Sequence, residues 1–240
     1  MSAPTFTPLQ KAAAWFVHLY TASGIIVALF ALEAIYLRDY GTAYIWFAVA
    51  VWIDGSDGPM ARRFRVKEVL PSINGGLLDN IVDYITWSFL PIVLLWRSGW
   101  LPEPVDLWCI IALLASLYAF VHNSAKITTE AMFRGFPSYW NFFVVSVDLV
   151  LRHYGPWAVA IATLALSVLS VLPIYFLYPN RLKGKEWWFH FVTGLSWFCV
   201  FVATVVLYPD MPRWMVWASF SYPIIYFVHS LMKNKGMHQK

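Results

Sequence analysis

Hydrophobic and polar positions follow each other in long blocks along the chain, not in alternation residue by residue. Eight apolar stretches, each bounded by a few polar or charged residues, run approximately over 12–37, 42–63, 73–97, 105–126, 137–152, 156–178, 187–208 and 213–232. A helix needs about 20 apolar residues to cross a bilayer, and it satisfies its own backbone there. A membrane barrel would alternate every second residue instead. The pattern therefore predicts an all-α, polytopic membrane helix bundle of about eight transmembrane helices.

Composition agrees with this prediction and excludes two other classes. Charged residues make up 12% of the 240 residues, about half the share in soluble domains, so they cannot cover the surface of a water-soluble globule. The basic residues lie in short segments between the apolar stretches and not on one face, which argues against nucleic-acid binding. No polar segment is long enough to be a linker. We therefore expect residues 1–240 to form a single integral-membrane domain.

The basic residues also indicate how the helices are oriented. If the N-terminus is cytoplasmic, thirteen of the 17 lysine and arginine residues fall in cytoplasmic segments. Cytoplasmic loops of membrane proteins are enriched in these residues. We therefore expect both termini in the cytoplasm, which agrees with an even number of spans.

Most of the 13 acidic residues lie near loops, but four aspartates lie within the second and third predicted spans, where ionisable groups are costly and mark functional sites. Asp54 and Asp57 belong to the second stretch, and Asp79 and Asp83 belong to the third. Spacings of three and four residues put each pair on one helix face. Because the second span runs inward and the third outward, both pairs are expected at the same depth, near the cytoplasmic side.

Four converging carboxylates repel one another unless they are protonated or neutralised by cations. An oxygen-only ligand set suits Mg²⁺ or Mn²⁺, which typically also bind phosphate oxygens. The small residues Gly58, Ala61 and Gly75 lie on the acidic faces and allow close approach of a helix or a ligand. The pattern favours phosphoryl or pyrophosphate chemistry with one or two metals. On the residues alone, a cation-coupled transporter and buried structural ion pairs remain alternatives.

The segment 54–83 resembles the signature of the CDP-alcohol phosphotransferase family, D-x2-D-G-x2-A-R followed by G-x3-D-x3-D. The matching residues are Asp54, Asp57, Gly58, Ala61, Arg62, Gly75, Asp79 and Asp83. Twelve residues separate Arg62 from Gly75. This spacer is longer than usual in the family and is similar to that of a bacterial branch with choline as acceptor. The segment 133–141 is also similar to that branch.

The resemblance implies transfer of a phosphatidyl group from CDP-diacylglycerol to choline with release of CMP. It implies a requirement for Mn²⁺ or Mg²⁺, expected as two ions, and an active site that faces the cytoplasm from the bacterial inner membrane. Membrane lipid and a second copy of the chain are the expected partners. The implied metal ligands are Asp54, Asp57, Asp79 and Asp83, with Asp83 also the general base, and the implied CDP-binding residues are Gly58, Ala61, Arg62 and Gly75.

The core motif does not select the acceptor alcohol. Serine, inositol phosphate and glycerol phosphate remain alternatives to choline, and a polyprenyl transferase is disfavoured by the glycine, alanine and arginine of the motif. A quaternary ammonium group favours aromatic faces with a carboxylate nearby, so Glu130, Tyr139 and Trp140 are candidates for choline binding. His18 is interpreted as a packing or interfacial residue.

Overall fold

The computed structural model describes residues 6–121, 126–127 and 131–237. Within these ranges, four helices are long and apolar enough to cross a membrane: Pro8–Tyr36, Gly75–Ser98, Gly184–Val206 and Arg213–Asn234. Shorter apolar helices occupy Val105–Val121, Trp140–Leu149 and Pro156–Val171. These elements support an all-α membrane protein. The chain separates into two compact units, the first ending at Leu90 and the second beginning at Pro91, and the expectation of a single domain stays a prediction.

In the first unit, capping side chains set the starts of three helices. Its elements are α1 (Pro8–Tyr36), α2 (Tyr40–Arg63), α3 (Val66–Val69), α4 (Gly75–Asp83) and a π-helical segment (Tyr84–Phe89). Thr7 forms a capping box with Gln10 at the start of α1. Asp39 caps α2, and Asn74 caps α4. Each cap satisfies a backbone N–H that the helix leaves without an internal acceptor.

Helix α1 packs antiparallel to α2 along most of its length. Near one end of the pair, Val27 packs with Ala50 and Ile53. Near the other end, Ala14 and Val17 form a cluster with residues of α3. The long spacer between the two halves of the acidic motif therefore folds into a short helix, and this helix covers α1.

The turn that leads into α3 is strained and is held by an ion pair. Arg65 has a left-handed backbone, with φ of 53°, which is uncommon for a residue other than glycine. Its guanidinium pairs with Glu68 one turn later. The hydrogen bond from Arg65 lowers the pKa of the Glu68 carboxyl, so this pair is ionised at neutral pH.

Gly24 of α1 lies directly against α4. A Cβ atom at this position would lie 2.5 Å from Cγ1 of Val82, far inside van der Waals contact. We expect Gly24→Ala to destabilise the protein by about 1–3 kcal/mol, the usual cost of overpacking a core. The measurement is the thermal unfolding temperature in detergent. The double variant Gly24→Ala/Val82→Ala should regain stability relative to Gly24→Ala, and equal stability of Gly24→Ala and wild type would contradict the close contact.

The second unit combines helices with a short antiparallel sheet. Its helices are α5 (Leu90–Ser98), α6 (Val105–Val121), α7 (Trp140–Leu149), α8 (Pro156–Val171), α9 (Gly184–Val206), α10 (Arg213–Ala218) and α11 (Ser221–Met237). The strands β1 (Lys126–Ile127), β2 (Met132–Arg134) and β3 (Tyr175–Leu177) pair in the order β1-β2-β3. The sheet was not predicted from the sequence, and it shortens two predicted spans.

The predicted ends of the fourth and sixth spans, at 126 and 178, are wrong because both positions lie in or beyond strands. Helix α8 ends at Val171, and Leu172 is extended, with φ of −70° and ψ of 147°. The next residue is Pro173, which disfavours helical backbone at the position before it. Phe176 and Leu177 are fully buried in β3. A short buried apolar strand has the same composition as the end of a buried helix, so the pattern alone did not separate them.

Side chains of α11 complete the hydrogen bonding of β3. The hydroxyl of Tyr226 donates to the carbonyl of Leu177 at 2.8 Å, and the amide of Leu177 donates to Oγ of Ser230 at 3.0 Å. In an apolar environment an unpaired strand edge is costly. These contacts explain how a three-stranded sheet is kept among the helices of this unit.

Candidate active site

Helices α2 and α4 bring three carboxylates together. One oxygen atom from each of Asp54, Asp57 and Asp79 lies within 4.8 Å of the others. Asp57 is only 5% exposed, and Asp54 and Asp79 are half-buried. Like charges this close in a partly buried site favour a bound cation. The predicted convergence of the two acidic helix faces is confirmed for these three residues.

Asp83 lines a cavity beside this group. Asp54 and Asp57 also line this small cavity. Its remaining wall is mostly apolar and is formed by Thr21, Gly24, Ala50, Ile53, Val82 and Thr86. Asp83 is the last residue of α4, and the chain continues from it into the π-helical segment. Such segments are frequent at functional sites. The hydrophobic pattern did not predict this one.

Helix α1 supplies polar contacts to the acidic group. The hydroxyl of Thr21 donates to Oδ2 of Asp57 at 2.8 Å, in a buried position. One residue earlier, the hydroxyl of Tyr20 shares a hydrogen bond of 2.7 Å with the hydroxyl of Ser56. Sequence reasoning missed Thr21. The only signal was a hydroxyl residue within an apolar span, which is common in membrane helices and does not by itself indicate a site.

The hydrogen bond from Thr21 should hold Asp57 in the orientation that a metal ligand needs. We expect Thr21→Val, which keeps the shape and removes the hydroxyl, to raise the Mn²⁺ concentration for half-maximal activity by about 10–100-fold, as is typical for residues that orient metal ligands. The matched control is Ser23→Ala, which removes a hydroxyl bonded to the Tyr20 carbonyl on the same helix. An unchanged Mn²⁺ dependence in Thr21→Val would show that Asp57 needs no such support.

The small residues of the motif lie at close contacts within this unit. A Cβ atom on Gly75 would lie 2.9 Å from Cε1 of His18, and one on Gly58 would lie 3.4 Å from Nη1 of Arg62. Ala61 packs against the cluster that joins α1 and α3. Packing therefore gives a reason for a small residue at Gly75, whereas a Cβ atom on Gly58 would make only an ordinary contact. Their predicted contacts with CDP stay predictions.

The donor set of the three-carboxylate group fits a hard divalent cation. It consists of carboxylate oxygen atoms only. The hydrogen bond from Thr21 orients one of the three carboxylates, that of Asp57. Mg²⁺ and Mn²⁺ prefer such ligands, whereas Zn²⁺ prefers histidine and cysteine. The group could hold a metal ion, and its geometry does not select between Mg²⁺ and Mn²⁺.

The residues predicted for choline belong to a different part of the chain. Glu130 lies outside the described residues. Tyr139 and Trp140 lie in the second unit, where Tyr139 is half-buried and meets Tyr226 edge to face, with ring centroids 5.8 Å apart. Trp140 is fully buried and contacts Phe136. Tyr139 therefore has ring surface available within an aromatic cluster, whereas Trp140 packs in the core.

Four apolar helices of membrane-spanning length within the described residues, together with three converging carboxylates, define a helical membrane protein with an acidic, metal-compatible centre. No family model matches the chain. A phosphatidylcholine synthase of Legionella pneumophila subsp. pneumophila is 36% identical in an alignment that covers 96% of this chain and 92% of the relative. The phosphatidylcholine synthase of Pseudomonas aeruginosa is 38% identical over 75% of this chain and 74% of its own length. The phosphatidylcholine synthase of Brucella melitensis biotype 1 is 33% identical over 93% of this chain and 80% of its own length. The chain belongs to the phosphatidylcholine synthase family.

Proposed function

We propose that this protein transfers the phosphatidyl group from CDP-diacylglycerol to choline, giving phosphatidylcholine and CMP. The observation that carries the proposal is the group formed by Asp54, Asp57 and Asp79, with Asp83 lining the adjoining cavity, in a chain of this family. Paired acidic helices of this kind suit substrates that contain a diphosphate. The relatives named phosphatidylcholine synthase support choline as the acceptor.

The reaction exchanges one phosphorus–oxygen bond for another. The choline oxygen bonds to the phosphorus atom that carries diacylglycerol. The bond from this phosphorus to the bridging oxygen breaks, and CMP leaves with the bridging oxygen and its electron pair. The hydroxyl proton passes to the carboxylate of Asp83, because an alcohol is a weak nucleophile until a positioned base removes its proton. Asp83 is half-buried and lines the cavity beside the three carboxylates, which supports this role.

Asp54, Asp57 and Asp79 are proposed to hold the divalent cation, Mn²⁺ or Mg²⁺, with two ions expected. These residues would hold the cation, which would supply positive charge to offset the negative charge of the diphosphate and of the leaving CMP. The carboxylates of α2 and α4 position the diphosphate, and Thr21 keeps Asp57 in place. The guanidinium of Arg62, which lies near Gly58, is proposed to bind an anionic oxygen of the CDP group.

The membrane arrangement is proposed from the charge pattern. Eight spans with both termini in the cytoplasm would put the acidic ends of α2 and α4 at the cytoplasmic side of the bacterial inner membrane. The acyl chains of the lipid substrate then stay in the bilayer while its head group reacts at the interface. The antiparallel packing of α1 and α2 agrees with two consecutive spans of opposite direction, and the side of the membrane is proposed from the charges alone. A homodimer stays an expectation.

Tyr139 is the aromatic residue that we propose for recognition of the trimethylammonium group. We expect Tyr139→Leu to raise the choline KM by about 2–30-fold, the range of a cation–π contact, with the CDP-diacylglycerol KM unchanged. Tyr139→Phe keeps the ring and should stay near wild type, and Tyr154→Leu, which changes an exposed tyrosine, is the control. An unchanged choline KM in Tyr139→Leu would remove Tyr139 from the proposal.

The acceptor is tested with purified protein in vesicles that contain CDP-diacylglycerol, to which labelled choline, serine or inositol phosphate is added. We expect labelled lipid and release of CMP with choline only. Formation of labelled lipid from serine or inositol phosphate would show that the acceptor is not choline. Accumulation of choline inside the vesicles without CMP release would contradict the transferase and favour a transporter.

A further inference from the structure

His18 of α1, which lies against Gly75 at the start of α4, carries an unexplained polar atom. The side chain is 7% exposed, and its Nε2 atom is buried with no hydrogen-bond partner among the residues that the structure describes. Nearly all buried polar atoms in proteins have a partner, and those without one call for an explanation. Packing alone would be served as well by an apolar ring, so the nitrogen atom suggests a ligand.

The position of His18 on α1 brings it close to residues of the acidic motif. His18 precedes Thr21 by three residues on one helix face, which corresponds to about 4.5 Å along the axis. Thr21 contacts Asp57. Because α1 and α2 are antiparallel, residues before Thr21 lie alongside residues that follow Asp57. The imidazole also occupies the space beside Gly75, where a Cβ atom would meet it.

The chemistry of the imidazole selects among the parts of the two substrates. A neutral histidine can present Nε2 either as a donor or as an acceptor. The trimethylammonium group of choline has no N–H to donate and repels a donor. A diphosphate offers several anionic oxygens, and it is proposed to bind at the carboxylate group, where Thr21, three residues after His18 on α1, contacts Asp57. A phosphate oxygen is therefore the partner that best satisfies Nε2.

We infer that His18 is a binding residue for the nucleoside diphosphate part of the lipid substrate, with Nε2–H donating to a phosphate oxygen. This inference rests on the proposed function. It assigns to α1 a direct part in substrate binding, in addition to the orientation of Asp57 by Thr21. It also gives Gly75 a specific reason to be glycine, because a larger residue would displace the imidazole.

Three substitutions distinguish the contribution of the hydrogen-bond donor from that of the side-chain shape. His18→Phe keeps a ring and removes both nitrogen atoms, His18→Gln keeps an amide near the position of Nε2, and His18→Asn keeps one near Nδ1. We expect His18→Phe and His18→Asn to raise the CDP-diacylglycerol KM about tenfold or more, as for loss of a hydrogen bond to a charged group. His18→Gln should recover most of this loss. The choline KM should stay unchanged in all three variants.

Binding of CDP to the purified protein in Mn²⁺, measured by calorimetry, provides a second readout that does not need turnover. His18→Phe should weaken CDP binding by a similar factor while its thermal unfolding temperature stays at or above that of wild type. Unchanged CDP affinity in a folded His18→Phe, or equal changes in both KM values, would overturn the inference. If His18→Phe does not fold, equal CDP affinities of His18→Gln and His18→Asn would overturn it. Failure of the wild type to release CMP with choline would instead refute the proposed function.

Discussion

Asp83→Asn is expected to lower choline-dependent CMP release by about 10²–10⁴-fold, the usual contribution of a general base. The amide has nearly the shape of the carboxylate, so it should fill the same place in the cavity, but it cannot accept the hydroxyl proton. The substitution leaves the carboxylates of Asp54, Asp57 and Asp79 in place. We therefore expect CDP-diacylglycerol to bind with an affinity close to that of wild type while turnover is lost.

The matched control for this experiment is Asp39→Asn. Asp39 is exposed and caps the start of α2 by accepting from the amide of Thr42 at 3.1 Å, and asparagine caps a helix equally well. The control makes the same chemical change away from the acidic group and should keep full activity. Near wild-type turnover in Asp83→Asn would refute the role of Asp83 as base.

Removal of divalent cations is expected to abolish activity, and Mn²⁺ or Mg²⁺ should restore it. The reason is that three carboxylates with oxygen atoms within 4.8 Å of one another would repel a diphosphate unless a cation neutralises both. The measurement is the rate of CMP release after dialysis against EDTA and after stepwise return of each metal. Full activity in the chelator would contradict the metal-dependent account.

Direct binding of Mn²⁺ tests the same group without turnover. Asp57→Asn should weaken Mn²⁺ binding to the purified protein, as followed by electron paramagnetic resonance, because it replaces a buried carboxylate that Thr21 orients. Asp39→Asn serves again as the control and should bind Mn²⁺ as wild type does. Equal Mn²⁺ affinities in Asp57→Asn and wild type would place the metal elsewhere.

The acidic half of the site could be predicted from the sequence because its signal is local and costly. Asp54, Asp57 and Asp79 stand out since carboxylates are rare within apolar spans, and their spacings define the faces that must meet. The contribution of α1 could not be predicted in this way. Thr21 and His18 are compatible with an apolar span, and only the packing of α1 against α2 and α4 shows what they contact.

The fold was predictable in its class and less so in its details. The apolar blocks indicate the helices, but their lengths do not show where a helix gives way to another element. Pro173 and the buried strand that follows it end a predicted span early. In the same way, the small size of Gly75 was assigned to room for CDP, whereas the structure also shows the ring of His18 beside it. Both differences arise from tertiary contacts that no local pattern contains.

We propose that the carboxylates of α2 and α4 carry transfer of a phosphatidyl group to choline. This claim is tested by measuring CMP release and formation of labelled phosphatidylcholine together, in vesicles that contain wild type or Asp79→Asn. We predict one CMP for each phosphatidylcholine in the wild type, no CMP without choline, and loss of both products in Asp79→Asn. CMP release without formation of a choline lipid, or transfer that persists in Asp79→Asn, would contradict the claim.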